Sequence, residues 1–180
     1  MVAGPASKPS VVAVPMRLGL RGTEFHYAVL YSNPPADEDP VYRHCAAHPL
    51  YDEPAALAAH LAEDAIPIDQ EAAGAVDIDE ARAALGPDMS RDAIEVVLNA
   101  WNALDDLTKS LGVPLGFFGR LANRSYDKLF WGLNLEAVTP PGQWYVPRWS
   151  DRELAKIDQV LRECGSRMDE RLRQNELVRV

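Results

Sequence analysis

The sequence predicts an α+β, helix-dominated single domain, and three observations carry that expectation. Two β-rich runs near the start, VVAVPMRLGL (11–20) and TEFHYAVLY (23–31), flank the turn-forming pair Arg21-Gly22. Two long stretches, 90–112 and 151–174, repeat apolar residues every three or four positions. The chain has 180 residues, 47% hydrophobic and 25% charged, which is enough to bury a core without staples. Residues 1–10 read as a flexible N-terminal tail without the apolar block of a signal peptide, and residues 11–180 as one α+β domain. No apolar run approaches the roughly 18–20 residues of a bilayer span.

The two β runs are expected to pair as an antiparallel hairpin. In the second, Phe25, Tyr27, Val29 and Tyr31 share one face, while Glu24, His26, Ala28 and Leu30 share the other. Pro15 lacks a ladder donor, so the first run is expected to be an edge strand or to break there. SNPPADEDP (32–40) reads as loop.

PAALAAHLAED (54–64) opens with a proline suited to the first helical position. The stretch before the next helix, IPIDQEAAGAV (66–76), has little pattern and is expected to be loop. DIDEARAALGP (77–87) starts with Asp77 three residues before Glu80, a capping-box spacing, and stops at Gly86-Pro87. In 90–112, Ser90 caps a stripe of Ile94, Val97, Leu98, Trp101, Leu104, Thr108 and Leu111. SYDKLFWG (125–132) is expected to be a short capped helix ending at Gly132, and GQWYV (142–146) a short strand joining the N-terminal pair. The last helix opens with the capping box Ser150/Glu153, and Leu154, Ile157, Leu161, Cys164, Met168 and Leu172 form its stripe. Gly165 borders that stripe, where a missing side chain admits a neighbour.

Charge is unevenly placed. Residues 33–92 hold fourteen acidic and three basic side chains, −11 of the total of −9, against +2 before and zero after. Such a block repels phosphate backbones, which disfavours nucleic acid, and attracts a basic protein. The local excess of basic residues among the aromatics of 113–152 is only two, and arginine stacked on tryptophan inside the fold explains it equally well. Cys45 and Cys164 are far apart and unpaired by motif, which predicts reduced thiols and a cytoplasmic protein. Cys164 sits on the core-facing stripe, where a thiol acts as a small hydrophobe.

Three groups of residues are candidates for chemistry or binding. At 100° per residue Asp105 falls near Ile94, inside an apolar stripe, and a carboxylate there needs a partner. A tryptophan N–H, loop amides, Arg120, Arg124 or Lys128 would serve, and with Arg120 and Lys128 nearby Asp105 is the candidate acid or base. His44 and His48 are four apart in YRHCAAHPLYDE (42–53), a metal-like spacing that His60 or the Asp52/Glu53 pair would have to complete. Pro49 follows at once and no glutamate stands between the histidines, so the motif is partial. GVPLGFFG (112–119) is not a phosphate cradle and no GxSxG occurs, so no cofactor is specified.

YDKLFWGLNLEAVTPPGQWYVPRW (126–149) gathers Trp131, Trp144 and Trp149, three of four tryptophans. Ordering so long a connection requires burying most of its rings. Trp131 and Trp149 are therefore expected to be buried anchors, and Trp144→Ala to cost less stability than Trp131→Ala. Trp144 and Tyr145 are left for a partner. The function expected is that of a non-enzymatic protein-binding protein, of inhibitor or immunity type, presenting Asp37, Glu38, Asp39, Asp52, Glu53, Trp144 and Tyr145 to a basic partner. The competing expectation is a small metal-assisted or acid/base enzyme with a pocket near 126–149.

Overall fold

The computed structural model describes residues 10–33, 41–44, 50–112, 119–134 and 145–174. The fold is α+β and helix-dominated, as the patterning predicts. Strands β1 (Ser10–Leu20) and β2 (Thr23–Asn33) form the expected antiparallel hairpin. Arg21 and Gly22 both have positive φ, 51° and 72°, the primed-turn geometry whose twist matches that of a hairpin. Arginine tolerates this position because its guanidinium is anchored, donating to Asp169 at 2.7 Å and to Ser166 Oγ at 2.5 Å on the last helix.

The sheet departs from expectation in its third strand. That strand is β3 (Gly74–Asp77), which runs parallel to β1, in the order β2-β1-β3. It comes from the stretch read as loop, and four residues are too few for a periodic signal. Residues 145–150 are not in a strand, and 142–144 lie outside the described residues. Pro15 consequently sits in the central strand. Ala13 N–H donates to Pro67 C=O, and Ala13 C=O accepts from Asp69 N–H, so residues of Pro15's parity address the β3 side. Pairing with β3 begins only at Met16, so Pro15's missing donor falls where the chain between Asp69 and Gly74 leaves β1.

Five helices are described: α1 (Pro54–Glu63), α2 (Ile78–Ala83), α3 (Arg91–Ser110), α4 (Arg120–Asn134) and α5 (Asp151–Gln174). The sheet is covered on both faces. Leu18, Leu20, Phe25 and Tyr27 enter the main core with α2–α5, while Ala13 and Ala28 pack with Leu57 and Leu61 of α1 in a smaller one. The main-core face is the one carrying Phe25 and Tyr27, as the alternation predicts. Burial, with the Asp106 charge next in importance, pushes the Tyr27 phenol well above its ordinary range. The outer edge of β2 is closed by bridges to Val41 and Tyr51, which leaves less of that edge open to pair with another chain.

Every residue of the expected α3 stripe from Ile94 to Leu111 is buried. Thr108 enters the core because its hydroxyl bonds back to Leu104 C=O at 2.5 Å. On α5, Ile157, Leu161, Cys164 and Met168 are buried, while Leu154 is half-buried against the core and the side chain of Leu172 lies outside the described residues. Burial, ahead of any charge, pushes the Cys164 thiol up to about 12. A Cβ on Gly165 would lie 2.9 Å from Leu20 Cδ1, so the glycine admits a side chain from the end of β1.

α4 is longer than expected at both ends. Ser125 is not its cap but a buried interior residue bonded to Leu121 C=O at 2.9 Å. Gly132 does not stop the helix either. A Cβ there would meet Ile94 at 3.3 Å and Pro147 at 3.4 Å, so the glycine allows close packing of α4 on α3 and on the segment 145–150.

Asp77 caps α2, its Oδ1 accepting from Glu80 N at 2.9 Å. A Cβ on Gly19 of β1 would lie 2.6 Å from Asp77 Oδ2 and 3.0 Å from Cγ, too close to stand. Gly19→Ala is therefore expected to evict the capping carboxylate and cost about 1–2 kcal/mol in denaturant unfolding. In an Asp77→Ala background the same substitution should cost markedly less.

Candidate functional site

The two ends of the segment 41–51 are pinned to β2. Tyr42 N donates to Ala28 C=O at 2.9 Å, and Tyr51 exchanges both backbone hydrogen bonds with His26 at 2.8 Å. α1 begins three residues after Tyr51, where Pro54 suits the first helical turn, and it directs Leu57 and Leu61 into the smaller core. The last turn of α1 therefore arrives beside His44.

His44 and His60 stack there, ring centroids 4.3 Å apart and 14° from parallel. His44 Nδ1 lies 3.1 Å from Asp64 Oδ2, and its Nε2 lies 3.6 Å from Glu63 Oε2. Tyr42 donates its hydroxyl to the same Asp64 oxygen at 2.6 Å. His60 Nδ1 is 3.3 Å from the Tyr51 hydroxyl. The hydrogen bonds from Tyr42 and then His44 hold the Asp64 carboxyl below the usual carboxylate range. Burial, followed by the Asp64 charge, pushes the Tyr51 phenol up, so it stays a neutral hydrogen-bonding group.

Of the histidines expected to bind metal, the fold brings His44 and His60 together, and His48 lies outside the described residues. Asp52 and Glu53 stand exposed before α1 and are not members of the cluster. Glu63 and Asp64 join the cluster without a motif to announce them. Their signal is the spacing: three and four residues after His60, they share its end of one helix.

Asp105 is partly buried, as its position on α3 predicts, but its partner is on its own helix. Oδ2 meets Lys109 Nζ at 2.5 Å, and Oδ1 is buried with no hydrogen-bond partner among the described residues. Arg120 is exposed and takes no part. Lys128 is engaged elsewhere. Its ammonium meets both oxygens of Glu153, at 3.0 and 2.9 Å, bonds to Arg148 C=O and lies 4.9 Å from the centroid of Trp149. Arg124 approaches the same glutamate at 4.0 Å.

The capping box of α5 is built as expected, Glu153 accepting from Ser150 N at 2.9 Å and from Ser150 Oγ at 2.8 Å. Its second role, as a buried counter-ion tying α4 to α5, had no sequence signal. Burial alone would raise the Glu153 carboxyl; the Ser150 N–H, Lys128 and the Ser150 hydroxyl outweigh it and hold it at about 2.

Trp149 is buried at 7% exposure, the anchor the sequence predicts, with Nε1 lacking a partner among the described residues. Trp131 is not an anchor; it is 47% exposed and stacks edge-on against Phe130 at 5.4 Å. The cause is helical phase, since Trp131 follows the buried Leu129 by two residues, about 200° around the helix. Tyr145 is exposed; Trp144, Asp37, Glu38 and Asp39 lie outside the described residues.

A cavity of about 180 Å³ opens between the sheet and α1, lined by Arg17 and His26 among apolar groups including Leu57, Leu61 and Ile68. None of its lining residues belongs to the described part of 126–149. No helix among the described residues is long and apolar enough to cross a membrane. No family model, curated protein or solved structure matches the chain.

Proposed function

We propose that the protein is a non-enzymatic binding protein, of inhibitor or immunity type, that presents its acidic face to a basic protein partner. One observation carries the reading. Residues 52–80 contain nine carboxylates and no lysine or arginine; every one of the nine is exposed, and none pairs with a lysine or arginine among the described residues. The cations of the helical half are treated differently. Arg82 pairs with Asp158 at 2.8 Å, Lys109 with Asp105 and Lys128 with Glu153, so they neutralise that half internally. Carboxylates without a lysine or arginine beside them repel one another and gain most from an external cationic surface, which steers association and sets specificity.

The test is capture with the full chain as bait, beside a variant in which Glu53, Glu71 and Glu80 are changed to glutamine. The expected outcome is a partner of basic isoelectric point held by the parent chain and lost by the variant. Retention of the same partner by the variant would refute the acidic face as the docking surface.

A further inference from the structure

The geometry points to a second property of the acidic face: a site for one divalent transition-metal ion of the zinc type, formed by His44, His60 and Glu63. One ligand atom from each of these three residues lies within 4.8 Å of the others. A tetrahedral ion with bonds of about 2.0–2.1 Å holds its ligands roughly 3.3 Å apart, so His44 Nε2 and Glu63 Oε2, at 3.6 Å, are already nearly spaced for it. The set of two imidazoles and one carboxylate suits a borderline-soft ion and leaves a fourth position for solvent or an exogenous ligand.

The surrounding hydrogen bonds give the site its second shell. A metal-binding imidazole donates its other ring N–H to a carboxylate or hydroxyl oxygen, which fixes the tautomer and strengthens the ligand. His44 Nδ1 has Asp64 Oδ2 at 3.1 Å, and that carboxylate is itself held by Tyr42 at 2.6 Å. His60 Nδ1 has the Tyr51 hydroxyl at 3.3 Å. Both rings can therefore adopt the tautomer that carries an Nε2 lone pair. On His44 that lone pair faces the Glu63 carboxylate, an arrangement a cation between them reconciles.

Two further features favour a cation. His60 lies in the last turn of α1, whose C-terminal carbonyls form the negative end of the helix dipole. His60 and Glu63 also stand in a stretch, 52–80, with no lysine or arginine to compete for them. Backbone hydrogen bonds tie Tyr42 and Tyr51, whose hydroxyls support the cluster, to β2, and the His60 ring, stacked nearly parallel to His44, has only to turn about its side-chain bonds to bring Nε2 to the ion.

Zinc chloride titrated into the chelator-treated full chain, followed by calorimetry, tests the site directly. One ion per chain is expected, with His60→Ala and Glu63→Gln each weakening binding about tenfold or more, and Asp64→Asn weakening it through the second shell. His60→Gln, which keeps the side-chain bulk, provides the same comparison should the alanine variant unfold. His26→Ala, outside the cluster, should bind as the parent does. Cobalt bound in place of zinc is expected to show tetrahedral visible bands without thiolate charge transfer. No saturable binding up to roughly millimolar zinc, a thiolate band, or unchanged affinity in the His60 and Glu63 variants would each overturn the assignment.

Discussion

Lys128→Met is expected to destabilise the protein by about 3–5 kcal/mol, read as a shift of the denaturant midpoint at neutral pH. The substitution keeps the apolar stem but leaves Glu153, only 7% exposed at its side chain, as a buried carboxylate without its main cation. Arg124, at 4.0 Å and mostly in solvent, is a poor substitute. The bonds from Ser150 would remain, so the loss should fall short of unfolding the chain outright. Glu153→Gln in the Lys128→Met background is expected to recover much of the loss, because the costly species is the unpaired charge. A cost below about 1 kcal/mol for Lys128→Met would mean that the pair behaves as an ordinary surface bridge.

The same group predicts an acid transition. The Glu153 carboxyl is held at about 2 in the folded chain against an ordinary value of 4.5. A depressed carboxylate contributes stability that is complete above its unfolded value and disappears as pH falls through its folded one. Stability should therefore decline between about pH 4.5 and pH 2, and Lys128→Met should flatten this part of the profile. Equal slopes in parent and variant would separate the acid transition from this pair.

The second large effect distinguishes two tryptophans the sequence treats alike. Trp149→Ala is expected to cost about 3–5 kcal/mol, and Trp131→Ala less than about 1 kcal/mol. Trp149 is buried beneath the Lys128 ammonium next to the cap of α5, so removing it opens a cavity and uncovers the ion pair. Trp131, at 47% exposure, gives up little on truncation. Unfolding of both variants under the same conditions decides the matter, and comparable losses would mean that Trp131 is packed more deeply than its helical phase implies.

What could be read in the sequence follows the range of its signals. α3 was legible in full because twenty residues of periodic burial, a Ser90 cap and a Gly112 stop all agree. The hairpin was legible because alternation and a primed turn coincide. β3 was not, since its place is set by parallel pairing with Met16–Gly19, a non-local contact that four residues cannot announce. Pro15 misled for a related reason: which strand edge a missing donor faces depends on where the neighbour begins. The full length of α4 is hidden because Gly132 resembles a stop signal when seen alone, and only packing against Ile94 and Pro147 explains it.

The site was half legible on the same grounds. His44 and His60 could be named by residue type, but their meeting depends on Val41 and Tyr51 bridging β2 and on α1 folding back. The spacing of His44 to His48 runs outside the described residues; among those described, the helical spacing that matters runs from His60 to Glu63 and Asp64. Helical phase alone puts Asp105 on a largely buried face, and its side chain is 25% exposed. Its cation, Lys109, is the ordinary helical neighbour four residues on, whereas Lys128, the distant candidate, belongs to Glu153.

We propose that the exposed carboxylates between Asp52 and Glu80 bind a basic partner. The most direct measurement is the affinity of the captured complex as ionic strength rises from about 50 mM to about 500 mM, across which exposed charges become screened. A weakening of roughly tenfold or more is expected, carried mainly by slower association. An affinity indifferent to salt over that range would contradict it.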